Sequence, residues 1–390
     1  MVFKYFDFFQ ESFVESMSLL GFNMENSPIN LILPIGISFY TFQTLSYTID
    51  VYRGVVLPSN NFLAFAAYVS FFPQLVAGPI ERAKKLLPQF LVNREFSYNY
   101  AIDGCRQILW GFFKKIVLAD TSAQFASEIF SNYENYSGST LVLGAVFFSF
   151  QIYYDFSGYT DIAIGTARLF GFHFSRNFDY PYFSTSVTDF WRRWHISLST
   201  WFRDYVYSPL VFKWRSLKKI GVYAGLFVTF LLMGLWHGAG WNFIVYGLIH
   251  GIVLIAELLC KDVRLKVMER ISPVVVRGVS QFYTFSLVTF IFIFFKADSI
   301  THAINYVFAM FSNTIFATPQ FLGRGKSIDT IVLIMITLVV EWIGKEGPYG
   351  LKNSIAKCPR FCRIVIYYSL LFLIIGYSSK DINEFIYFQF

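Results

Sequence analysis

The chain has 390 residues, of which 55% are hydrophobic and only 15% are charged, and its mean hydropathy is +0.49. This composition excludes an ordinary soluble protein of that length and predicts a chain that folds in a lipid bilayer. The net charge of +7 comes from basic residues that cluster between apolar runs. That pattern indicates loop charges that set membrane orientation, and it argues against a nucleic-acid partner.

The first part of the chain predicts an interfacial segment followed by interrupted helices. Residues 1–28 are aromatic with scattered charges and lack the pattern of a signal peptide, so we predict an interfacial helix. Residues 29–48 form the first predicted span, although Pro34 and Gly36 interrupt it. Such breaks are tolerated in lipid where neighbouring protein satisfies the freed backbone groups. Residues 62–77 predict a second interrupted helix.

The next apolar stretches carry charged residues. Residues 108–119 form a short predicted span, and its Lys114 and Lys115 place it partly at the membrane interface. Residues 141–154 are apolar and run into Asp155, after which a second short apolar stretch is predicted. Acids beside a membrane segment need a partner or a function.

The second half predicts the clearest spans. Basic loops at 213–219 and 261–277 predict that their side of the membrane is cytoplasmic. Several predicted spans fall short of the roughly 20 residues that an upright helix needs, so we expect tilted or re-entrant helices around a central cavity. Without an internal repeat, residues 1–390 predict one domain that ends in an aromatic tail at 380–390. The spans are 222–236, 239–257, 279–295, 331–342 and 364–377.

The stretch between residues 186 and 251 is the most unusual. Its first part, read as one helix, predicts an aromatic face that carries a single imidazole and is bordered by cations. The face contains Trp191, Trp194 and His195, and the bordering cations are Arg192 and Arg193.

A second histidine lies at the end of an apolar run. His237 follows Trp236 and precedes Gly238, at a depth where an ionisable residue is a functional-site hypothesis. The alternative for His237 is a packed histidine bonded to a backbone carbonyl. For His195 it is an interfacial histidine held by tryptophans. We expect His250 to be a structural neighbour rather than a catalytic group.

The histidines are compatible with acyl transfer. A neutral imidazole in a water-poor cavity suits a general base for a hydroxyl group, which is a poor nucleophile while it keeps its proton. A serine hydrolase is disfavoured because Ser157 and Ser197 lack the Gly-x-Ser-x-Gly turn. We predict no bound metal or cofactor, since neither metal-ligand spacing nor a phosphate-binding glycine loop occurs. Cys358 and Cys362 have no matching pair nearby.

Three carboxylates and one tyrosine each allow a functional and a structural interpretation. Asp155, Asp161 and Asp189 can offer hydrogen bonds to a tunnel, but for any single one an ion pair with a neighbouring arginine is favoured. From composition alone, Tyr387 in the aromatic tail is an interfacial anchor.

Five segments carry a resemblance to a known family. They are FPQLVAGPI (72–80), YDFSGY (154–159), DFWRRWHISLS (189–199), GLWHG (234–238) and FIYFQF (385–390). In combination they resemble the membrane-bound O-acyltransferases, in the bacterial branch that acylates alginate, peptidoglycan and teichoic acid. The resemblance spans nearly the whole chain.

The resemblance implies a ring of tilted helices around a funnel with a thin cytoplasmic floor, through which an acyl thioester is delivered. It implies that His237 is the catalytic histidine and His195 the second histidine near the donor entrance. It also makes Tyr387 the candidate that carries the acyl group transiently. A phenol is more acidic than an alcohol, with a pKa of about 10, so a histidine can activate it.

The resemblance also implies roles for the other candidate site residues. The aromatic residues Trp191, Trp194 and Trp236 would wall the tunnel. Arg192 and Arg193 would bind the phosphate group on the extended arm of the acyl donor. Asp155 and Asp189 would supply hydrogen bonds in the tunnel or at the donor site.

The sequence thus predicts an all-α polytopic protein of the bacterial inner membrane. It would move an acyl group, most readily acetyl, from acetyl-coenzyme A or an acyl carrier protein to an exported polysaccharide, through an extracytoplasmic acyltransferase partner. A transporter or channel that uses its intramembrane histidines is the alternative, and an inactive scaffold is a third. Family members carry further helices before the segment at Pro34, so a misassigned start, a truncated gene and a compact variant all stay open.

Overall fold

The structure is a computed structural model that describes residues 2–22, 24–25, 36–75, 78–356, 358–378 and 385–386. Within these ranges the regular structure is helical and no strand occurs, which confirms the all-α prediction. Residues 29–35 of the first predicted span, which include Pro34, lie outside the described residues, as does Tyr387. The single domain stays a prediction.

The first half contains both broken helices and the longest helix of the described chain. The predicted interruption within residues 62–77 is confirmed, because the chain leaves the helix at Phe71. A π-helical segment (Phe113–Ala119) joins α6 to α7. The helices are α1 (Val2–Leu19), α2 (Ile37–Tyr52), α3 (Phe62–Ser70), α4 (Phe72–Leu75), α5 (Ala83–Leu86), α6 (Tyr98–Phe112), α7 (Asp120–Ser131) and α8 (Gly138–Leu169).

The second half contains five helices that are long and apolar enough to cross a membrane: α12, α13, α15, α17 and α19. They confirm a multi-pass membrane protein and match the last five predicted spans. The helices are α9 (Val187–Arg193), α10 (Ile196–Phe202), α11 (Ser208–Lys213), α12 (Lys219–His237), α13 (Trp241–Leu259), α14 (Lys261–Met268), α15 (Pro273–Lys296), α16 (Ile300–Met310), α17 (Arg324–Gly344), α18 (Gly350–Ala356) and α19 (Arg360–Tyr377).

Helix α8 corrects the prediction of two short apolar stretches. It is one helix of 32 residues that passes straight through Asp155 and Asp161. The Ser137 side chain caps its first turn by accepting the Thr140 N–H. Both acids are buried and paired with lysines, so they do not end the helix.

Glycines let α6 and α8 pack with their backbones nearly in contact. A Cβ on Gly111 would lie 2.6 Å from the carbonyl oxygen of Gly158, and one on Gly158 would lie 2.8 Å from that of Gly111. Gly104 and Gly165 make the same reciprocal approach seven residues away. Small residues at the contact are a typical means of close helix packing in membranes.

The same packing explains how the lysines of residues 108–119 are accommodated. The π-helical segment is pressed against α8, and Lys114 is 4% exposed. The Lys114 ammonium lies 2.6 Å from Asp161, and the Lys115 ammonium lies 2.8 Å from Asp155. The lysines are therefore ion-pair partners of α8, with Lys114 buried and Lys115 partly buried, and the interfacial position of the segment stays a prediction.

Helices α12 and α13 form a hairpin that rests on another glycine pair. A Cβ on Gly247 would collide with the carbonyl oxygen of Phe230, and one on Gly234 would collide with that of Phe243. His237 and His250 each follow one of these glycines by less than one helical turn. Close packing of the hairpin therefore determines where both histidines lie.

The hairpin also shows how the basic loops are arranged. Because α12 and α13 are antiparallel and joined by a short connection, the start of α12 and the end of α13 lie on the same side. The basic segments 213–219 and 261–277 both adjoin that side.

Candidate functional site

His195 lies in a sharp turn between two short helices. Helix α9 ends at Arg193 and α10 begins at Ile196, and His195 between them has the left-handed angles φ 41° and ψ 55°. The predicted single helix with one aromatic face is therefore wrong at this point. Left-handed backbone is uncommon for a residue other than glycine and needs support from its surroundings.

The support comes from Asn177, which is fully buried in the loop after α8. Its backbone carbonyl accepts the Ile196 N–H at 2.8 Å. Its side-chain oxygen accepts the Ser197 N–H at 3.1 Å and the Ser197 hydroxyl at 2.9 Å. These bonds stabilise the backbone on the C-terminal side of the His195 turn.

Asn177 also determines the tautomer of His195. The same side-chain oxygen lies 3.2 Å from His195 Nδ1. Because that oxygen already accepts the Ser197 N–H, it is an acceptor, and Nδ1 must carry the proton in this contact. In the neutral imidazole the lone pair is then on Nε2, which is the arrangement a general base requires.

Aromatic rings enclose the His195 imidazole, which has no exposed surface. The Phe156 ring meets it edge-on at a centroid distance of 4.6 Å. Phe178 stacks at 6.4 Å, and the Trp236 indole lies 6.0 Å away. Little room is left for bulk water beside the imidazole.

His237 is the last residue of α12 and is 3% exposed. Its ring lies 4.9 Å from the Trp236 indole, 5.6 Å from Tyr246 and 5.2 Å from Phe295. Trp236 therefore touches both imidazoles, since it also lies beside His195. The structure thus brings the two predicted histidines into one cluster.

Helix α1 covers the end of α12. The Lys4 ammonium donates to the carbonyl oxygens of Trp236 at 3.0 Å and His237 at 3.1 Å. A cation at this position complements the helix C-terminus, where carbonyl groups lack partners within the helix. Burial lowers the pKa of the Lys4 amine to about 8. On the next turn of α1, Phe8 packs edge-on against Trp241 at 5.6 Å.

His250 joins the same cluster from α13. The Trp191 indole N–H donates to His250 Nδ1 at 3.3 Å. Tyr246 lies between the two histidines of the hairpin, 4.9 Å from His250 and 5.6 Å from His237. His250 is thus a neighbour of the site that orients Trp191.

The remaining charged residues near His195 are either ion-paired or exposed to solvent. Arg193 is paired with Asp189 at 2.9 Å, and Asp189 also accepts the Thr185 N–H at 3.3 Å. The ion-pair reading of Asp189 is therefore confirmed. Arg192 is exposed and forms no ion pair with the described residues.

Trp191 and Trp194 differ in environment. Trp194 is 1% exposed and is packed between Phe178 and Phe190, with ring centroids at 5.2 Å and 5.3 Å. Trp191 lines a cavity together with Arg192.

That cavity has a volume of about 550 Å³ and extends along α12. Its lining includes two exposed cations, Arg192 and Arg203, and also Met233, which lies one helical turn before His237. The rest of the lining is mostly apolar. The cavity therefore combines exposed cations with apolar walls.

A second cavity, of about 770 Å³, lies between α1, α2, α10 and α12. Its lining is almost wholly apolar and aromatic and includes Phe42, Trp201 and Trp236. Trp236 thus separates this apolar cavity from the two histidines.

The C-terminal tail enters the same region. The Ile386 N–H donates to Asp155 Oδ2 at 2.8 Å, and the Phe385 ring lies 4.8 Å from Tyr159 and 5.6 Å from Phe156. Both tail residues are buried, at 4% and 1% exposure. Since Phe156 touches His195, the described part of the tail ends close to the histidine cluster.

The site lacks the residues for a metal centre within the described ranges. No group of three His, Cys, Asp or Glu side chains there could hold a metal ion. Cys358 and Cys362 are free thiols.

The cluster therefore contains two neighbouring imidazoles, that of His195 in a fixed tautomer, within an apolar enclosure. Sequence reasoning missed Asn177 and the pairing role of Lys115; the only signal for Asn177 was a short polar residue in a loop that leads into the aromatic segment.

Comparison with known proteins gives a consistent result. Residues 55–295 match the family model of MBOAT, the membrane-bound O-acyltransferase family. A probable alginate O-acetylase AlgI of Pseudomonas putida is 36% identical over 412 residues, covering 100% of this chain and 81% of the relative. A protein of the same name from Pseudomonas aeruginosa is 40% identical over 343 residues, covering 86% and 63%. A peptidoglycan O-acetyltransferase of Helicobacter pylori is 30% identical over 431 residues, covering 100% and 79%.

The matched region contains Asn177, His195, His237 and His250, together with Asp155. Helices α17 to α19 and the tail lie beyond it. The chain spans less than two thirds of the length of the Pseudomonas aeruginosa relative, 63% of it.

Proposed function

The chain belongs to the membrane-bound O-acyltransferase family, and from this premise we propose that it is an O-acyltransferase of a bacterial inner membrane. It moves an acyl group, most readily acetyl, from a cytoplasmic thioester toward O-acylation of an exported polysaccharide. The observation that carries the proposal is the convergence of His195 and His237 on Trp236, beside a docked C-terminal tail. Relatives named for alginate and peptidoglycan O-acetylation support the acetyl group and the polysaccharide.

His237 acts as the general base. It takes the proton of an acceptor hydroxyl, and the oxygen attacks the carbonyl carbon of the thioester as the proton leaves. The carbon–sulfur bond then breaks, and the departing thiolate takes the proton back from the His237 imidazolium. The cycle is balanced in protons and needs no metal ion.

The first acceptor is Tyr387. Its phenol is a better proton donor than a sugar hydroxyl, with an ordinary pKa of about 10. Tyr387 directly follows the docked Ile386 in the chain, which supports its choice as the acceptor. The phenyl ester that forms has a good leaving group for onward transfer.

His195 assists on the donor side. Its Nδ1–H is held by Asn177, so the neutral ring offers the Nε2 lone pair. The left-handed turn and the surrounding rings hold this imidazole in one orientation. A fixed orientation reduces the entropy that must be lost when the reacting groups come together.

The cavity along α12 fits the donor. Acetyl-coenzyme A and the prosthetic group of an acyl carrier protein both carry a phosphate on an extended arm. The exposed Arg192 and Arg203 suit the phosphate, and the apolar walls suit the arm. The basic segments on the side where α12 begins favour a cytoplasmic entrance for this donor.

Onward transfer to the polysaccharide would occur on the opposite side of the membrane. We propose that a separate extracytoplasmic acyltransferase takes the acyl group from the tail and places it on the glycan. The protein itself then needs no carbohydrate site deep in the bilayer.

The test compares two histidine variants by the ester content of the exported polysaccharide. His237→Ala should lower O-acylation by about 10²- to 10⁴-fold, the usual contribution of a positioned base. His302→Ala is the matched control, because His302 lies on α16 and is bonded to the Phe130 carbonyl outside the cluster. Normal O-acylation in His237→Ala cells with normal protein levels would overturn the proposal.

A further inference from the structure

A buried ion pair holds the C-terminal tail against α8. Asp155 uses its two oxygens for different partners: Oδ1 lies 2.8 Å from the Lys115 ammonium, and Oδ2 accepts the Ile386 N–H at 2.8 Å. The Asp155 side chain is only 3% exposed. A buried carboxylate of this kind needs both charge compensation and hydrogen bonds.

We propose that Lys115 and Asp155 are positioning residues that form a latch, which holds the described part of the tail, Phe385 and Ile386, in one register beside the histidine cluster. The inference rests on the proposed function, in which Tyr387 is the acyl acceptor. Lys115 compensates the charge of Asp155, and the Asp155 carboxylate accepts a hydrogen bond from a single backbone N–H of the tail. The latch therefore recognises the position of the tail rather than the side chain of Ile386.

The neighbouring rings fix the register of the tail. Phe385 lies against Tyr159 and Phe156, and Phe156 in turn meets His195 at 4.6 Å. In a water-poor interior the Ile386 N–H has a high cost if it is left without an acceptor. A slip by one residue would break that hydrogen bond and move Phe385 from its place, so one register is favoured.

The π-helical segment provides both the latch and a natural control. Lys115 is also paired with Asp120 at 2.8 Å, so its ammonium is held between two carboxylates. The adjacent Lys114 forms a second buried pair, with Asp161 at 2.6 Å. Asp161 receives its other hydrogen bond from Gln107 at 2.6 Å, and no contact with the described tail residues joins it. The two ion pairs thus differ in whether they hold the tail.

The experiment measures tail docking in the full-length protein without using activity. Hydrogen–deuterium exchange mass spectrometry follows the backbone amides of the C-terminal peptide in the purified protein. Asp155→Asn, which removes the charge, and Ile386→Pro, which removes the N–H, should each speed exchange of the remaining tail amides by about tenfold or more. Asp161→Asn and Ile386→Ala are the matched controls, because the first leaves the latch intact and the second keeps the N–H.

The two latch changes should also be non-additive. In the double variant Asp155→Asn with Ile386→Pro the tail amides should exchange little faster than in either single variant, because both changes remove the same bond. Ile386 lies in none of the helices that could cross a membrane. Ile386→Pro therefore keeps the test valid if Asp155→Asn lowers the yield of folded protein. Tail protection equal to wild type in both single variants would overturn the latch.

A second readout separates the latch from the proposed function. With a labelled acyl-thioester donor, the latch variants should lose label on Tyr387 while the donor KM stays unchanged. If the tail is released in the variants but wild type never carries label on Tyr387, the latch stands and the carrier role fails. If Tyr387 is labelled and the tail stays protected in both variants, the carrier role stands and the latch fails.

Discussion

The two histidines of the cluster are positioned by different physical means. His195 is held by polar contacts: a left-handed turn with Asn177 bonded to its flanking residues and to its ring. His237 is held by packing: the Gly234 and Gly247 approach between α12 and α13, and the rings around its imidazole. The first depends on a few hydrogen bonds from one loop, and the second on the fit of two long helices.

The difference explains what each part can tolerate. Packing between membrane helices is rigid, so a change of one methyl group there displaces whole helices. A hydrogen-bonded turn is local, so its loss should displace one ring and leave the helices in place. Each of the following changes tests one side of this comparison.

Gly247→Ala should have the largest effect. The added methyl group would collide with the Phe230 carbonyl oxygen and separate α12 from α13. Overpacking of this kind costs about 1–3 kcal/mol or more, and a 1 Å displacement of a catalytic group can cost about 10²-fold in rate. Thermal unfolding in detergent and acyl-transfer rate are measured together. Gly278→Ala is the control, because nothing lies within 4 Å of a Cβ there; equal behaviour of the two variants would contradict the packing account.

His195→Asn separates the shape of the turn from its chemistry. Asparagine adopts the left-handed region more readily than most residues, so the turn should persist. We expect thermal unfolding close to wild type and a loss of about 10- to 10²-fold in acyl transfer, since the imidazole is gone. An unchanged rate would show that His195 only shapes the turn.

Asn177→Ala should have a smaller catalytic effect and a clearer effect on stability. The change leaves the Ser197 N–H and the His195 Nδ1–H buried without their acceptor, at a cost of about 1–3 kcal/mol in unfolding free energy. The imidazole remains, so we expect a loss of roughly tenfold in rate from its freer orientation. Unfolding and acyl-transfer rate are both measured, and a stable variant with full activity would contradict the supporting role of Asn177.

Lys4→Met should have the smallest effect. It removes the cation from the Trp236 and His237 carbonyls while keeping most of the apolar stem. Charges at helix ends contribute about 0.3–1 kcal/mol, so the acyl-transfer rate should fall no more than several-fold. Lys4→Arg should restore it; if Lys4→Met abolishes activity, α1 has a direct role in the chemistry.

Much of the fold was predictable because apolar runs determine membrane helices. The spans predicted at 222–236, 239–257 and 279–295 lie within α12, α13 and α15, apart from two residues before α13. Helix α8 was not predictable as one element, since its acids are compensated by Lys114 and Lys115 on another segment. A pattern along one chain does not show which distant lysine will neutralise an acid.

The site was predictable in its chemical groups and not in its supports. His195 and His237 stand out because polar rings are unusual in apolar surroundings. The break at His195 was missed because Asn177, far away in sequence, stabilises a backbone conformation that local propensity disfavours. For Asp155 the expected arginine partner is replaced by Lys115, which reaches it only through the glycine-mediated packing of α6 on α8.

The most direct test of the account is mass spectrometry of the purified protein after exposure to a labelled acyl-thioester donor. The account predicts an acyl adduct on Tyr387 that is absent in Tyr387→Phe and in His237→Ala, while His302→Ala keeps it. Polymer O-acylation that continues with no adduct on Tyr387 at any time would contradict it, because the acyl group would then reach the polysaccharide without the tail.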